Sequence, residues 1–533
     1  MPRSRPASAH AIGTRYDRLL HVWPEGWSAF AAVCVFAAVY VIAHMLVRLP
    51  FTDVVAVDWV GETVYAQTID WGQTPKYPPL PAWLLWAVHQ VTGPGALSTL
   101  IVKYAALWGA FVAYFLAARR VLKHDGWAVL ATLSVLLLFQ VAWNAHEGVT
   151  HTIFLTLAAP LTLLAVLRAE ARNDLLSYAG LGVAIAIGAL AKQAYFAGFA
   201  ALVLAMLVQP GFRRVLINPR IIGTLLVAAA LAVPHYYWAF TSGFDFSRAA
   251  SSTLARPELG GVAIQILSGL WSSIRAPLLF LMPLLPVLLL IFPQAFRPSN
   301  TLHPGGHGAA GADPVRLVRD ATLAGIVVLA IPVLVAGVAH YGERWMHPLM
   351  LWAPIYLVAM VRAVRPSARR LSLFMGVVLA VTLLALGWRL AGFVAPSKIT
   401  CGKCRLAEPY AALADGLAEM GFAGGTVLAG DEHIAGNLRT HFPDARMVAL
   451  NYGYYDPPQR PDRAAGQCLV VWRSGAREGT AVIPPAALAY AGVTGLPEGA
   501  LVQAFRLPKL RASGPEASSR FAAVLMPAAG RCR

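Results

Sequence analysis

Long apolar runs, separated by short polar connections, dominate the chain up to about residue 395. A helix of about 20 apolar residues crosses a 30 Å hydrocarbon core. We divide the stretch 176–209 at Lys192 and Gln193, since about 34 residues would overshoot a bilayer as one helix. The pattern predicts eleven transmembrane helices, at about 27–47, 97–117, 127–143, 152–168, 176–191, 194–209, 220–240, 275–293, 320–339, 347–364 and 371–393.

The charged residues between these runs predict the orientation of the chain. The connections after the second, fourth, sixth, eighth and tenth runs are basic, with Arg119, Arg120, Lys123, Arg168, Arg172, Arg213, Arg214, Arg220, Arg297, Arg316, Arg319, Arg362, Arg365, Arg369 and Arg370. The other connections carry Asp53, Asp58, Glu62, His146, Glu147, His151, His340 and Glu343 instead. Because basic connections stay in the cytoplasm, residues 1–26 are predicted to be cytoplasmic. We expect ionisable residues mostly at the ends of the spans, apart from Lys192.

The last part of the chain has a different pattern. Residues 396–533 contain no long apolar run and many Gly, Pro, Asp and Arg. Residues 425–431 predict a strand ending in a loop, 434–441 a helix and 467–472 another strand. This alternation is typical of a small α/β domain. With eleven spans before it, that domain lies outside the membrane, on the same side as the outer loop 48–96.

The composition supports this architecture and excludes several other classes of protein. Apolar types make up 58% of the 533 residues and charged types 13%, whereas soluble domains contain about 25% charged residues. The chain is therefore neither an ordinary soluble enzyme nor a disordered or fibrous protein. Its net charge of +17 lies largely in the cytoplasmic connections, so it does not indicate a nucleic-acid partner.

Five cysteines are too few for a disulfide scaffold. Cys401 and Cys404 form a C-x-x-C just after the last span, and on the outer side they favour a local disulfide. A redox or zinc role would need a thioredoxin-like context or a second ligand pair, and the sequence has neither. Cys468 and Cys532 are candidates for a second disulfide.

The first outer loop contains the most informative polar residues. Asp58 and Glu62 are four residues apart, so on a helix they share a face. Tyr77 and two prolines then precede an interfacial helix at about 81–90 that is rich in tryptophan. Acidic residues at this depth are not needed to hold spans together, which favours a functional role.

These residues resemble the opening pattern of the GT-C glycosyltransferases. In the bacterial branch with protein O-mannosyltransferase-like, lipid A aminoarabinose transferase-like and rhizobial galacturonosyltransferase-like enzymes, an acidic residue and an aromatic-rich helix precede W-G and an H/Y-P-P-L segment. Asp58 takes the acidic position when Trp71-Gly72 is the anchor. Lys76-Tyr77 replaces the common Asp-His before the prolines, and a lysine there is similar to the aminoarabinose transferase version.

The resemblance covers most of residues 20–395. Trp59 stands where the family usually has a glutamate, a departure for which Glu62 is the candidate substitute. Further segments that fit are 144–151, with His146 and Glu147, 189–195, with Lys192, and 342–349, with Arg344 and His347.

The resemblance implies that a sugar moves from an undecaprenyl-phosphate-linked donor to an envelope glycan, lipid or protein at the outer face of the bacterial inner membrane. The acceptor then needs a base, Asp58. The leaving phosphate needs cations, and Lys192, Arg344 and Lys76 are the candidates. The candidates for contacts with the acceptor or the sugar are Glu62, Glu147, His146, Tyr77 and His347. No cofactor is firmly implied, although His146, His151 and His347 leave a divalent cation open.

Other interpretations of the same residues stay open at this point. Asp58 could cap an interfacial helix, Lys192 could snorkel from the end of a span, and Arg344 could be an interfacial anchor. A transporter or flippase of lipid-linked solutes is the alternative function, although the sequence shows no half-repeat and little charge within spans. The C-terminal domain could also bind another envelope protein.

Overall fold

The computed structural model describes residues 25–245, 254, 260–297, 311–397, 399–400, 405–459, 466–474, 482–496, 500–511, 517–528 and 530–532. The predicted Cys401–Cys404 disulfide and all but the last two residues of the predicted cytoplasmic segment 1–26 lie outside these ranges.

Helices make up most of the described chain before residue 395. In order they are α1 (Trp27–Leu46), α2 (Val57–Tyr65), α3 (Leu80–Thr92), α4 (Ala96–Leu122), α5 (Asp125–Ser134), α6 (Phe139–Ala142), α7 (His151–Arg172), α8 (Leu175–Ala191), α9 (Tyr195–Val208), α10 (Pro210–Ile217), α11 (Ile221–Thr241), α12 (Val262–Phe280), α13 (Leu284–Ile291), α14 (Pro314–Ala336), α15 (His347–Met350), α16 (Ala353–Ala363) and α17 (Ala368–Val394).

Seven of these helices are long and apolar enough to cross a membrane: α1, α4, α7, α11, α12, α14 and α17. The pair α9 and α10, bent by 116°, would make an eighth, and Asp125–Leu137, Leu175–Ala191 and His347–Ala363 are shorter apolar segments. Large apolar side chains stay exposed along the long helices, for example Val335 at 82%, as expected for surfaces that face lipid. The chain is a multi-pass membrane protein, and the number of eleven spans stays a prediction.

One predicted run is displaced in the structure. The expected span at 275–293 straddles the end of α12, and the helix of spanning length is Val262–Phe280. Polar residues within α12 make it the least apolar of the seven long helices. Two of them bind the connection after α14, since Ser272 accepts the N–H of Tyr341 at 2.7 Å and Ser268 donates to the carbonyl of Ala339 at 3.1 Å.

The C-terminal domain, residues 405–532 as described, is an α/β module, as the sequence predicted. Its five strands, β1 (Gly425–Ala429), β2 (Arg446–Ala449), β3 (Gln467–Arg473), β4 (Val502–Pro508) and β5 (Ser518–Pro527), form one sheet in the order β2-β1-β3-β5-β4. The strand β1 pairs in parallel with β2 and β3, whereas β5 runs antiparallel to β3 and β4.

Helices cover both faces of this sheet. The helices α18 (Tyr410–Glu419) and α19 (Glu432–His441) share one apolar cluster with Val64 and Tyr65 of α2. The helix α20 (Pro485–Ala491) packs on the opposite face, where Cys468 and Cys532 form a disulfide between β3 and the end of the chain. The first face therefore lies directly against the outer loop.

Candidate active site on helix α2

The short helix α2 carries both predicted carboxylates. Its neighbouring residues Trp59 and Val60 are 1% and 0% exposed, which fixes the helix to its surroundings. The indole N–H of Trp59 donates to the carbonyl of Val149 at 3.2 Å, so the residue that departs from the family pattern is an anchor of the helix. Asp58, one residue earlier, is exposed.

Asp58 is exposed because it faces a cavity of about 620 Å³. The cavity lies between the membrane part and the C-terminal domain. Its walls include Asp58, Glu147, Arg344 and Arg389 from the former, and Arg405 and Arg511 from the latter. Protein surrounds the carboxylate on its other sides, so burial raises the pKa of Asp58, and the charges of Arg344 and Lys192 oppose that rise.

The predicted phosphate-binding cations come from three separate segments. Lys192 lies in the break between α8 and α9, in an extended conformation, and Arg344 lies in the 3₁₀ turn Glu343–Trp345. The side-chain amide of Gln193 donates to the carbonyl of Lys76 at 3.0 Å, which joins the segment of Lys192 to that of Lys76.

Two of these cations are free to bind an anion. Within the described part of the chain, neither the Lys192 ammonium nor the Arg344 guanidinium makes a hydrogen bond or ion pair. Burial, and then the charge of Arg344, lowers the pKa of Lys192 to about 8. A bound anion would offset both the desolvation of the Lys192 ammonium and its repulsion by Arg344.

Glu62 lies one turn beyond Asp58 but is 4% exposed. Its Oε1 is 3.5 Å from Nε2 of His151, and the ring of His151 stacks on Tyr77 with centroids 4.6 Å apart. Burial, and then the charge of Asp58, raises the pKa of Glu62 to about 8. The raised pKa favours the protonated form of Glu62 near neutral pH.

Glu147 also lines the cavity, and it forms an ion pair. Arg389 donates to its Oε1 at 2.6 Å, and Lys103 donates to its backbone carbonyl at 2.5 Å. Lys103 and Arg389 lie inside α4 and α17, whereas Lys192 lies between two helices. Lys103 and Arg389 are therefore ionisable residues within helices that the sequence analysis did not single out beside Lys192.

The predicted histidines occupy separate environments. His146 is 1% exposed, with Nε2 at 2.6 Å from the Tyr40 hydroxyl. His347 is 2% exposed, with Nδ1 at 2.9 Å from Oγ1 of Thr156. Among the described residues, no group of three or more His, Cys, Asp or Glu side chains could hold a metal ion. These positions favour a structural role for His146 and His347.

The C-terminal domain holds the end of α2, which the sequence did not indicate. Arg439 of α19 donates to the carbonyls of Thr63 and, at 3.0 Å, Ala66. The side chain of Gln67 exchanges two hydrogen bonds, at 2.8 and 2.9 Å, with the backbone of Met447 on the edge strand β2. These contacts join segments about 380 positions apart, so a single sequence carries no signal for them.

The chain is similar to several known glycosyltransferases. The family described as dolichyl-phosphate-mannose-protein mannosyltransferase matches residues 76–238. Lipopolysaccharide core galacturonosyltransferase RgtA of Rhizobium johnstonii is 29% identical over 445 residues, which cover 82% of this chain and 85% of the relative. RgtB of the same organism is 27% identical over 452 residues, covering 84% and 88%.

A solved structure shows the same fold. The crystal structure of ArnT from Cupriavidus metallidurans bound to undecaprenyl phosphate matches with a TM-score of 0.56 and 15% identity, over 93% of this chain and 98% of that one. The fold is that of a polytopic membrane protein of the GT-C type. In sequence the chain is similar to the galacturonosyltransferases RgtA and RgtB and, over residues 76–238, to the mannosyltransferase family, all of which are glycosyltransferases.

Proposed function

We propose that this protein moves a sugar from a polyprenyl-phosphate-linked donor to an acceptor of the cell envelope. The observation that carries the proposal is Asp58, which faces a cavity of about 620 Å³ beside two cations, Arg344 and Lys192, that bind no described group. Sugar transfer from a lipid phosphate needs a carboxylate to take the acceptor proton and cations to meet the leaving phosphate.

The proposed reaction assigns one step to each group. Asp58 removes the proton of the acceptor hydroxyl as its oxygen attacks the anomeric carbon of the donor sugar. The bond between that carbon and the phosphate oxygen breaks, and its electron pair stays on the phosphate. Lys192, Arg344 and Lys76 neutralise the charge that develops there. The raised pKa of Asp58 makes it a stronger base than an ordinary aspartate.

The relatives suggest which substrates to test first. The curated relatives are named as lipopolysaccharide core galacturonosyltransferases, and the solved ArnT structure contains undecaprenyl phosphate. We therefore propose a galacturonic acid donor on a polyprenyl phosphate and a lipopolysaccharide core acceptor. The basic connections favour an inner-membrane location with the C-terminal domain in the periplasm.

Transfer by Asp58 variants tests the proposal. Asp58→Asn and Asp58→Ala should lower transfer from undecaprenyl-phosphate galacturonate to lipopolysaccharide core by about 100-fold or more in proteoliposomes, because general bases contribute about 10²–10⁴-fold. Asp70→Asn, a change at an exposed position of the same loop, should retain wild-type transfer. Near-normal turnover by both Asp58 variants would remove Asp58 as the base.

A further inference from the structure

A tyrosine of the C-terminal domain lies directly on the helix that carries Asp58. Tyr452 follows β2, and its ring stacks on that of Tyr65 with centroids 5.2 Å apart and planes 15° apart. Its hydroxyl lies against Gly61, where an added Cβ would be 2.5 Å from the oxygen. An added Cβ at position 61 would therefore force the phenol to shift.

The two contacts place Tyr452 along the face with the carboxylates. Residues three and four apart on a helix share a face, so Asp58, Gly61, Glu62 and Tyr65 form one stripe along α2. The phenol covers this stripe from Tyr65 to Gly61. From Gly61 to Asp58 is three residues, or about 4.5 Å along the helix axis.

The hydroxyl of Tyr452 makes no hydrogen bond with a described residue. In contrast, the hydroxyl of nearby Tyr455 is 3.0 Å from that of Thr68 and donates to the carbonyl of Tyr65 at 3.2 Å. Burial, and then the charges of Glu432 and Glu62, raises the pKa of Tyr452. It therefore stays a neutral phenol that can both donate and accept.

The position of Tyr452 relative to the cavity indicates which substrate it meets. Glu147, Arg389, Arg405 and Arg511 line the cavity, and Tyr452 does not. The stripe that Tyr452 covers leads instead toward Lys76. Glu62 is 3.5 Å from Nε2 of His151, the ring of His151 stacks on Tyr77, and the ring centroid of Tyr77 is 5.3 Å from the Lys76 ammonium. Lys76 is one of the proposed phosphate ligands, so this is the donor side of α2.

We propose that Tyr452 is a sugar-binding residue, whose hydroxyl forms a hydrogen bond with a hydroxyl of the donor saccharide. This inference rests on the proposed function, because it takes the donor to be a sugar on a polyprenyl phosphate. It makes the C-terminal domain part of the substrate site. A site that pairs a substrate hydroxyl also rejects substrates that lack it.

Binding of two lipids by the full-length protein tests the assignment. Tyr452→Phe keeps the ring on Tyr65 and removes only the hydroxyl. It should weaken binding of undecaprenyl-phosphate galacturonate about tenfold, the usual effect of one hydrogen bond. Its affinity for undecaprenyl phosphate, which has no sugar, should change less than twofold. A structural role for Tyr452 would weaken both lipids alike.

Two neighbouring tyrosines provide matched controls. Tyr454→Phe, at a position 53% exposed, should leave both affinities at the wild-type value. Tyr455→Phe loses hydrogen bonds within the protein and should lower thermal stability without separating the two lipids. A Tyr452→Phe variant that binds the sugar-bearing lipid as wild type, or weakens both lipids equally, overturns the inference. Failure of the wild type to prefer the sugar-bearing lipid would overturn the proposed function as well.

Discussion

The buried guanidinium of Arg439 should decide how firmly α2 is held. It is 6% exposed and donates to the carbonyls of Thr63 and Ala66, which have no partner within the helix. A hydrogen bond to a charged group contributes about 1.5–3 kcal/mol. Because a smaller side chain would admit water to the two carbonyls, we expect Arg439→Ala to cost about 3 kcal/mol rather than the full sum.

Local hydrogen exchange measures this cost directly. A loss of about 3 kcal/mol corresponds to roughly 100-fold less protection, and we expect it in the peptide that contains residues 57–66. Transfer should fall with it, because Asp58 is held by the same helix. Arg439→Lys should recover only part of the protection, since an ammonium does not reproduce the planar fork of the guanidinium.

Arg506 provides the matched control. It is an exposed arginine on β4 of the same domain, and Arg506→Ala should change protection of residues 57–66 by less than about 0.5 kcal/mol. If Arg439→Ala left that protection within the range of the control, Arg439 would not hold α2.

Three further changes should each alter stability in a defined direction. Gly436→Ala places a Cβ 2.4 Å from the carbonyl oxygen of Val60 and should lower the free energy of docking of the C-terminal domain by about 1–3 kcal/mol, which limited proteolysis should detect. Gly453→Ala, with nothing within 4 Å of its Cβ, should be cleaved at the wild-type rate. Folding raises the pKa of Glu62 from 4.5 to about 8. The contribution of Glu62 to the free energy of unfolding is therefore complete below pH 4.5 and is lost as the pH rises through 8, by up to about 1.4 kcal/mol per pH unit. Unfolding midpoints at pH 5.5 and 7.5 should therefore differ less in Glu62→Gln than in wild type. An equal difference between the two midpoints in both proteins would contradict the argument from burial. Cys468→Ser removes a disulfide between residues 64 positions apart and should cost about 2–5 kcal/mol, seen as a lower melting temperature that reducing agent does not lower further.

Patterns local in sequence predicted most of the fold. The apolar runs located the long helices because lipid imposes a length and a composition on every span. The run at 275–293 failed because Ser268 and Ser272 bind backbone groups after α14, and a hydropathy pattern counts such residues as polar. The strands at 425–429 and 467–473 were predictable from their β-branched and apolar residues.

The site was predictable only where its residues share a local motif. Asp58 and Glu62 could be placed on one helical face, yet nothing in their spacing distinguishes them. The structure does so, since Glu62 is buried beside His151 while Asp58 faces the cavity. The pairing of Arg389 with Glu147 was not predictable either, although a charge inside an apolar run is itself a signal of function.

The position of α2 between the membrane part and the C-terminal domain indicates where the two substrates of the proposed reaction would bind. Asp58, Glu147, Arg389 and the proposed phosphate ligand Arg344 line the cavity, whereas Lys76, whose ammonium is 5.3 Å from the ring centroid of Tyr77, is not part of its wall. A base must contact the acceptor, and the leaving phosphate must be on the far side of the reacting carbon for an in-line displacement. Under the proposed function, the acceptor would meet Asp58 in the cavity under the C-terminal domain, and Arg344 and Lys76 would hold the donor phosphate. Because Arg405 and Arg511 line the cavity and Tyr452 covers the helix, the C-terminal domain would contact both substrates.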